Sequence, residues 1–203
     1  VLERKSPKSN PSKDFDEIPL LEAGDHDARL VYVADLGLQR KEYKGEFQGN
    51  FQQISLGLEI VGETVMIDDK EVPRLLWTRP FYIYDTLTEK GLEKKFFNVF
   101  DSSADVGEVP DWDSQLGKPC NVVVKNTEGK GENSGKTFNN VETISSIPAK
   151  YQDAIAENKL EPQVGMNEEI EEHLFGLAKY VFDKKIVQKF SAKHEQAEAE
   201  ADY

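Results

Sequence analysis

Ala28-Arg29-Leu30-Val31-Tyr32-Val33-Ala34-Asp35-Leu36-Gly37 is an apolar run rich in β-branched residues. A second run, Phe51-Gln52-Gln53-Ile54-Ser55-Leu56-Gly57-Leu58-Glu59-Ile60, follows it after an insert, and its Ile54, Leu56, Leu58 and Ile60 share one parity. Strict alternation puts one face of a strand against a core and turns the other elsewhere. The insert, Arg40-Lys41-Glu42-Tyr43-Lys44-Gly45-Glu46-Phe47-Gln48-Gly49-Asn50, has no helical period, and Gly45, Gly49 and Asn50 suit turn conformations. The spacing predicts a long hairpin whose tip carries cations and aromatic rings together. Such a pairing suits the phosphates and bases of a nucleic acid. A solvated tip, with Tyr43 and Phe47 folded back onto the sheet, fits the same residues equally well.

Downstream, Val72 to Tyr84 reads as a third extended segment. Period two sets Trp77, Arg79, Phe81 and Ile83 on one side and Leu76, Thr78, Tyr82 and Tyr84 on the other. Pro80 has no amide to donate and marks an edge or a bulge. At least half of these rings belong to a core, yet an arginine flanked by Trp77 and Phe81 of its own parity is a base-stacking platform. Leu92, Phe96 and Val99 or Phe100 then fall at helical spacing and predict one short helix. Leu116–Thr127 and Lys136–Ile144 are a fourth and a fifth strand, joined by the glycine-rich stretch Glu128–Gly135. Gly135-Lys136-Thr137 echoes the end of a phosphate-binding loop. That motif, however, needs glycine where Lys130 stands and a helix where a strand is expected.

The chain has 203 residues, 38% hydrophobic and 31% charged, which fits a globular domain with polar appendages. Its single cysteine, Cys120, excludes an internal disulfide and a cysteine-based zinc site, and its place in an apolar strand suggests an inert buried thiol. His26, His173 and His194 are scattered, without metal-ligand spacing. No catalytic constellation emerges, so a protein that is not an enzyme and uses no metal or cofactor is expected. No apolar segment suits a signal peptide or a membrane span, and residence in the cytoplasm is the default. The net charge of −13 weighs against a nucleic-acid partner only if no basic groove exists locally.

Five strands with a short helix between the third and fourth is the element order of an OB-fold, the small Greek-key barrel. The expected organisation is a flexible arm over residues 1–17, the barrel over 18–148, a linker and amphipathic helix over 149–190, and an acidic tail over 191–203. Ile170, Leu174, Leu177 and Val181 give that helix its apolar stripe. OB-folds bind oligonucleotides on strands two and three and on the loops joining strands one to two and four to five. Those loops here are Arg40–Asn50 and Gly129–Gly135. The expected interface is therefore Arg40, Lys41, Tyr43, Lys44, Phe47, Phe51, Trp77, Arg79, Phe81, Lys125, Lys130 and Lys136.

Two further segments carry a resemblance. Gly24-Asp25-His26-Asp27 leading into the first apolar run, and Asn139-Asn140-Val141-Glu142-Thr143-Ile144-Ser145-Ser146-Ile147-Pro148, resemble the single-stranded DNA-binding proteins of tailed bacteriophages, as does the phenylalanine-rich segment near Phe175. The likeness spans about residues 20 to 190. It implies an OB-fold protein that coats unwound DNA in phage replication, recombination and repair, within the host cytoplasm. The tail, with Glu195, Glu198, Glu200, Asp202 and the terminal Tyr203, is similar to the acidic tails of such proteins. In that family the tail implies recruitment of a polymerase or helicase and occupation of the basic groove when DNA is absent. A generic polar terminus is the plainer reading of the same residues. An alternative of another class is a protein-binding OB module, in which the helix from Asn167 to Phe190 and the aromatic face grip a partner. Self-association into a homo-oligomer is compatible with either.

Overall fold

The computed structural model describes residues 19–67, 69–131 and 134–186 and is mainly β. Three strands, β1 (Gly24–Tyr43), β2 (Glu46–Ile67) and β3 (Lys70–Trp77), form a meander, and β4 (Phe81–Tyr82) returns to pair with β2. Helix α1 (Leu92–Phe100) follows, then β5 (Pro119–Glu128) and β6 (Thr137–Ser146). The sheet order is β3-β2-β1-β5-β6. All of these pairs are antiparallel. The expected strands and the short α-helix between the third and the next long strand are thus present, in a sheet that backbone pairing does not close. Its two ends are linked by side chains instead: Arg74 of β3 donates to Asn139 Oδ1 of β6 at 2.6 Å, and the same oxygen accepts from Leu21 N at 2.9 Å.

The first apolar run is continuous because β1 is buried on both faces from Ala28 to Gly37. A register shift between Leu30 and Tyr32 divides its side chains between two cores. Leu30 and Val33 join Ile54, Leu56, Leu58 and Ile60 of β2 with Phe97, Val122 and Ile144 in one. Val31, Tyr32, Ala34 and Leu36 join Leu75 and Trp77 in the other. Tyr32 and Trp77 stack with ring centroids 6.0 Å apart, on either side of Gly57. A Cβ at Gly57 would lie 2.9 Å from Tyr32 Cβ and 3.0 Å from the indole ring, so no other residue fits without moving the stack.

The C-terminal third departs from expectation. Residues 149–166, expected as a linker, are tied down in detail. A helical turn, α2 (Ala149–Gln152), leads to a segment fixed by two buried charges. Arg29 donates to the carbonyls of Ala156, Ile155 and Gly117 at 2.8, 2.8 and 2.6 Å, and Glu59 accepts from the amides of Lys159 and Leu160 at 2.7 and 2.8 Å. Arg29 and Glu59 face each other across β1 and β2. The segment ends in β7 (Gln163–Gly165), which adds to β1 in parallel at Tyr32–Ala34, beyond the point where β5 leaves it.

The long amphipathic helix is also two helices, α3 (Glu168–His173) and α4 (Gly176–Asp183). Leu174 and Phe175 between them are extended, and the break changes the helical phase. Ile170, Leu174, Ala178 and Phe182 consequently face the second core, whereas Leu177, expected in the stripe, is exposed. No helix among the described residues is long and apolar enough to cross a membrane. The N-terminal arm and the acidic tail, with Glu195, Glu198, Glu200, Asp202 and Tyr203, lie outside the described residues.

Candidate nucleic-acid interface

Past Leu38 and Gln52 the hairpin leaves the cores and continues as an arm. The insert predicted as a loop is in fact strand almost throughout: β1 and β2 stay paired to Tyr43 and Glu46, and only Lys44 and Gly45 turn. Both have positive φ, 51° and 82°, the backbone of a tight two-residue hairpin turn. A register shift between Lys41 and Glu42 twists the tip.

The arm gathers cations onto rings. Lys41 Nζ lies 5.0, 5.3 and 5.2 Å from the ring centroids of Phe51, Tyr82 and Tyr84, and donates to the Tyr84 hydroxyl at 2.6 Å. Phe51 meets both tyrosines edge-on, at 6.2 and 5.5 Å. The Arg40 guanidinium sits 4.5 Å from the Phe47 centroid, and Lys44 Nζ sits 5.4 Å from that of Tyr43. Tyr43 is 63% exposed and Phe47 is 52% exposed, so both rings present surface to solvent. The tip with its rings folded onto the sheet is not what forms.

The cations differ in whether a carboxylate already holds them. Arg40 is paired with Glu42 at 2.8 Å, and Lys125 with Glu142 at 3.2 Å. Among the described residues, Lys41, Lys44 and Arg79 have no carboxylate partner. Lys41 is thus held by three rings and one hydroxyl rather than by a carboxylate.

Several expected members of the interface lie elsewhere. Trp77 and Phe81 are buried, in different cores. Trp77 donates its indole N–H to His173 O at 2.9 Å, and Phe81 packs on Phe96. The reason is a break in the third segment. Pro80 interrupts it, the Ser55 hydroxyl and the Leu56 amide bond to Thr78, and β4 resumes with its phase changed. Neither ring offers a face for stacking, and Arg79, though exposed, does not lie between two exposed rings. Lys125, Lys130 and Lys136 are exposed but are not brought to the arm. Because β5 pairs only with Gly24–Arg29 and runs on past the start of β1, the β5–β6 tip lies at the other end of that strand. That tip opens a strand at Thr137, and no helix N-terminus follows Gly135 for phosphate to meet.

Tyr82 and Tyr84 were the unforeseen members of the site. Their signal was parity: Tyr82 pairs with Gln53, on the same face as Phe51. Nearby, Glu93 of α1 is buried and accepts from Trp112 Nε1 at 3.3 Å. Burial raises the Glu93 carboxyl above its ordinary range, and the Trp112 and Tyr84 N–H groups offset part of that rise. The Cys120 thiol is likewise pushed up, by burial first and by Asp27 second, and is not a reactive thiolate. Compared with protein-family models and with curated proteins, the chain matches none.

Proposed function

We propose that this protein is a sequence-tolerant binder of single-stranded DNA that works from the distal arm of β1 and β2 together with β4. One observation carries the reading: Lys41 is held among Phe51, Tyr82 and Tyr84 with no carboxylate partner among the described residues, in a chain of net charge −13. A lysine that is kept for rings supplies a phosphate contact beside base-stacking surface. Exposed Tyr43 and Phe47, each with a cation over its ring, extend that surface to the tip.

The sheet order supports an OB-type barrel. Arg74 and Asn139 span the gap where such a barrel would close, and OB barrels are themselves partly open. In that frame the arm is the loop between strands one and two. The resemblance of Gly24–Gly37 and Asn139–Pro148 to phage single-strand binders supports a role in coating DNA during replication, recombination and repair in the host cytoplasm, with partner recruitment assigned to the tail. No catalytic step is involved. The protein-binding alternative draws less support, because α3 and α4 already cover the aromatic face that a partner would have gripped.

Fluorescence anisotropy with labelled oligo-dT and a matched duplex, each at low and moderate salt, tests the proposal. The expected result is binding to the single strand that weakens as salt rises. Silence from both the full chain and a chain lacking residues 191–203 would overturn it.

A further inference from the structure

We propose that the C-terminal end of α4 is a second contact for the same single strand, continuous with the arm and centred on Tyr180 and Lys184. The inference rests on the single-strand reading above and concerns how far the bound strand extends. Two bonds fix this end of α4 to the root of the arm: Ile186 N donates to Leu38 O at 2.8 Å, and Gln39 Nε2 donates to Val181 O at 3.0 Å. Gln39 is the register partner of Phe51, and cross-strand partners share a face. The α4 end therefore lies on the face that carries the Lys41 cluster. Lys41 is two residues further along β1 than Gln39, roughly 7 Å of strand.

The chemistry of the arm recurs there. Lys184 Nζ stands 4.0 Å from the Tyr180 ring centroid and bonds the Tyr180 hydroxyl. Lys185 Nζ stands 3.6 Å from the Phe182 centroid. Among the described residues neither lysine has a carboxylate partner. One turn back Lys179 differs in also being paired with acids: it stands 5.5 Å from the Phe182 centroid, bonds Asp183 at 2.6 Å and lies 3.7 Å from Glu171. Phe182 is buried and its ring serves the second core, but Tyr180 is 55% exposed and offers a face for a base. As a mere pair on a helix surface, Tyr180 and Lys184 would contribute little to helix stability. As an extension of the arm, they add a second stacking ring and a second phosphate contact.

The test uses the full chain with Tyr180→Ala, Lys184→Gln and the double variant, and two labelled probes. One is oligo-dT of about 4 nucleotides, the lower end of an OB-fold site, and the other is of about 16, the upper end. For the double variant we expect about tenfold weaker binding of the long probe and unchanged binding of the short one. We also expect the salt slope for the long probe to fall by about 0.7 on loss of the Lys184 contact. Unchanged affinity and slope on the long probe, with the parent chain binding normally, would overturn the inference and leave the single-strand reading standing. Equal weakening on both probes would also overturn it, since α4 would then act through the arm. If the parent chain binds neither probe, the reading itself falls and takes the inference with it. Should the tyrosine variant fail to fold, Lys184→Gln alone decides through the slope.

Discussion

From Ala28 to Gly37, β1 is buried on both faces between two cores, whereas from Arg40 to Tyr43 the same strand stands largely in solvent with cations and rings along it. The partner strand changes in parallel, from fully buried Leu56 and Leu58 to exposed Phe47. One hairpin thus has a root that holds the molecule together and an arm that contributes little to it. Aromatic residues occur in both halves, but for different ends. Tyr32 in the root is enclosed by Trp77 and His173, and burial, with Glu169 beside it, pushes its hydroxyl pKa well above the usual tyrosine range. Tyr43 in the arm lies in the open. The difference teaches that exposure and charge pairing, rather than residue type, separate a packing ring from a binding ring.

Substitutions that fall on only one side of this division test it. Leu58→Ala in the root should cost about 2–5 kcal/mol of stability, measured by chemical denaturation, because it leaves a cavity in the first core. Glu59→Ala should cost about 1.5–3 kcal/mol by releasing the amides of Lys159 and Leu160, measured by chemical denaturation. In the arm, Tyr43→Ala should weaken oligo-dT binding by about 1–3 kcal/mol while moving stability by less than about 0.5 kcal/mol. A large stability loss there would erase the distinction.

A pH series sharpens the boundary between the halves. Burial raises the folded-state carboxyl of Glu93, so the folded protein binds the proton more tightly than the unfolded chain. The stabilisation that protonation brings is fully present below the unfolded value of about 4.3 and is lost as pH climbs through the higher folded value. Glu93→Gln should flatten that slope and leave the protein more stable than the parent at neutral pH. The smallest effect belongs to Arg40→Ala, whose exposed pair with Glu42 should be worth less than about 0.5 kcal/mol to stability.

Much of this division was legible in the sequence, and the part that was not has identifiable causes. The parity of Ile54, Leu56, Leu58 and Ile60 located the first core correctly, because alternation on β2 survives intact through that stretch. The cation-rich tip was visible too, in Lys41, Lys44, Tyr43 and Phe47. Parity carried across Pro80 sets Trp77 and Phe81 on one face as a stacking platform, whereas the strand breaks there and changes phase. The missed tyrosines, Tyr82 and Tyr84, follow from the same slip. Residues 149–166 read as a linker because their fixing points, Arg29 and Glu59, lie far away in sequence. Side-chain bonds over that separation leave no local period. The opposite placement of the β5–β6 tip depends on which half of β1 meets β5, a matter of register that composition does not carry.

The cover over the second core comes from the far end of the chain: Tyr32 meets Glu169 across a separation of 137 positions. On a ribosome the sheet of β1, β2 and β3 emerges early, with Trp77 and Tyr32 bare on one side until β7, α3 and α4 have been made. Contacts this distant along the chain form late and slowly. Until they do, the nascent protein displays an apolar aromatic face beside an unpaired stretch of β1, the kind of surface that chaperones hold and that aggregation exploits. Its vulnerable interval is therefore set by translation speed as much as by stability.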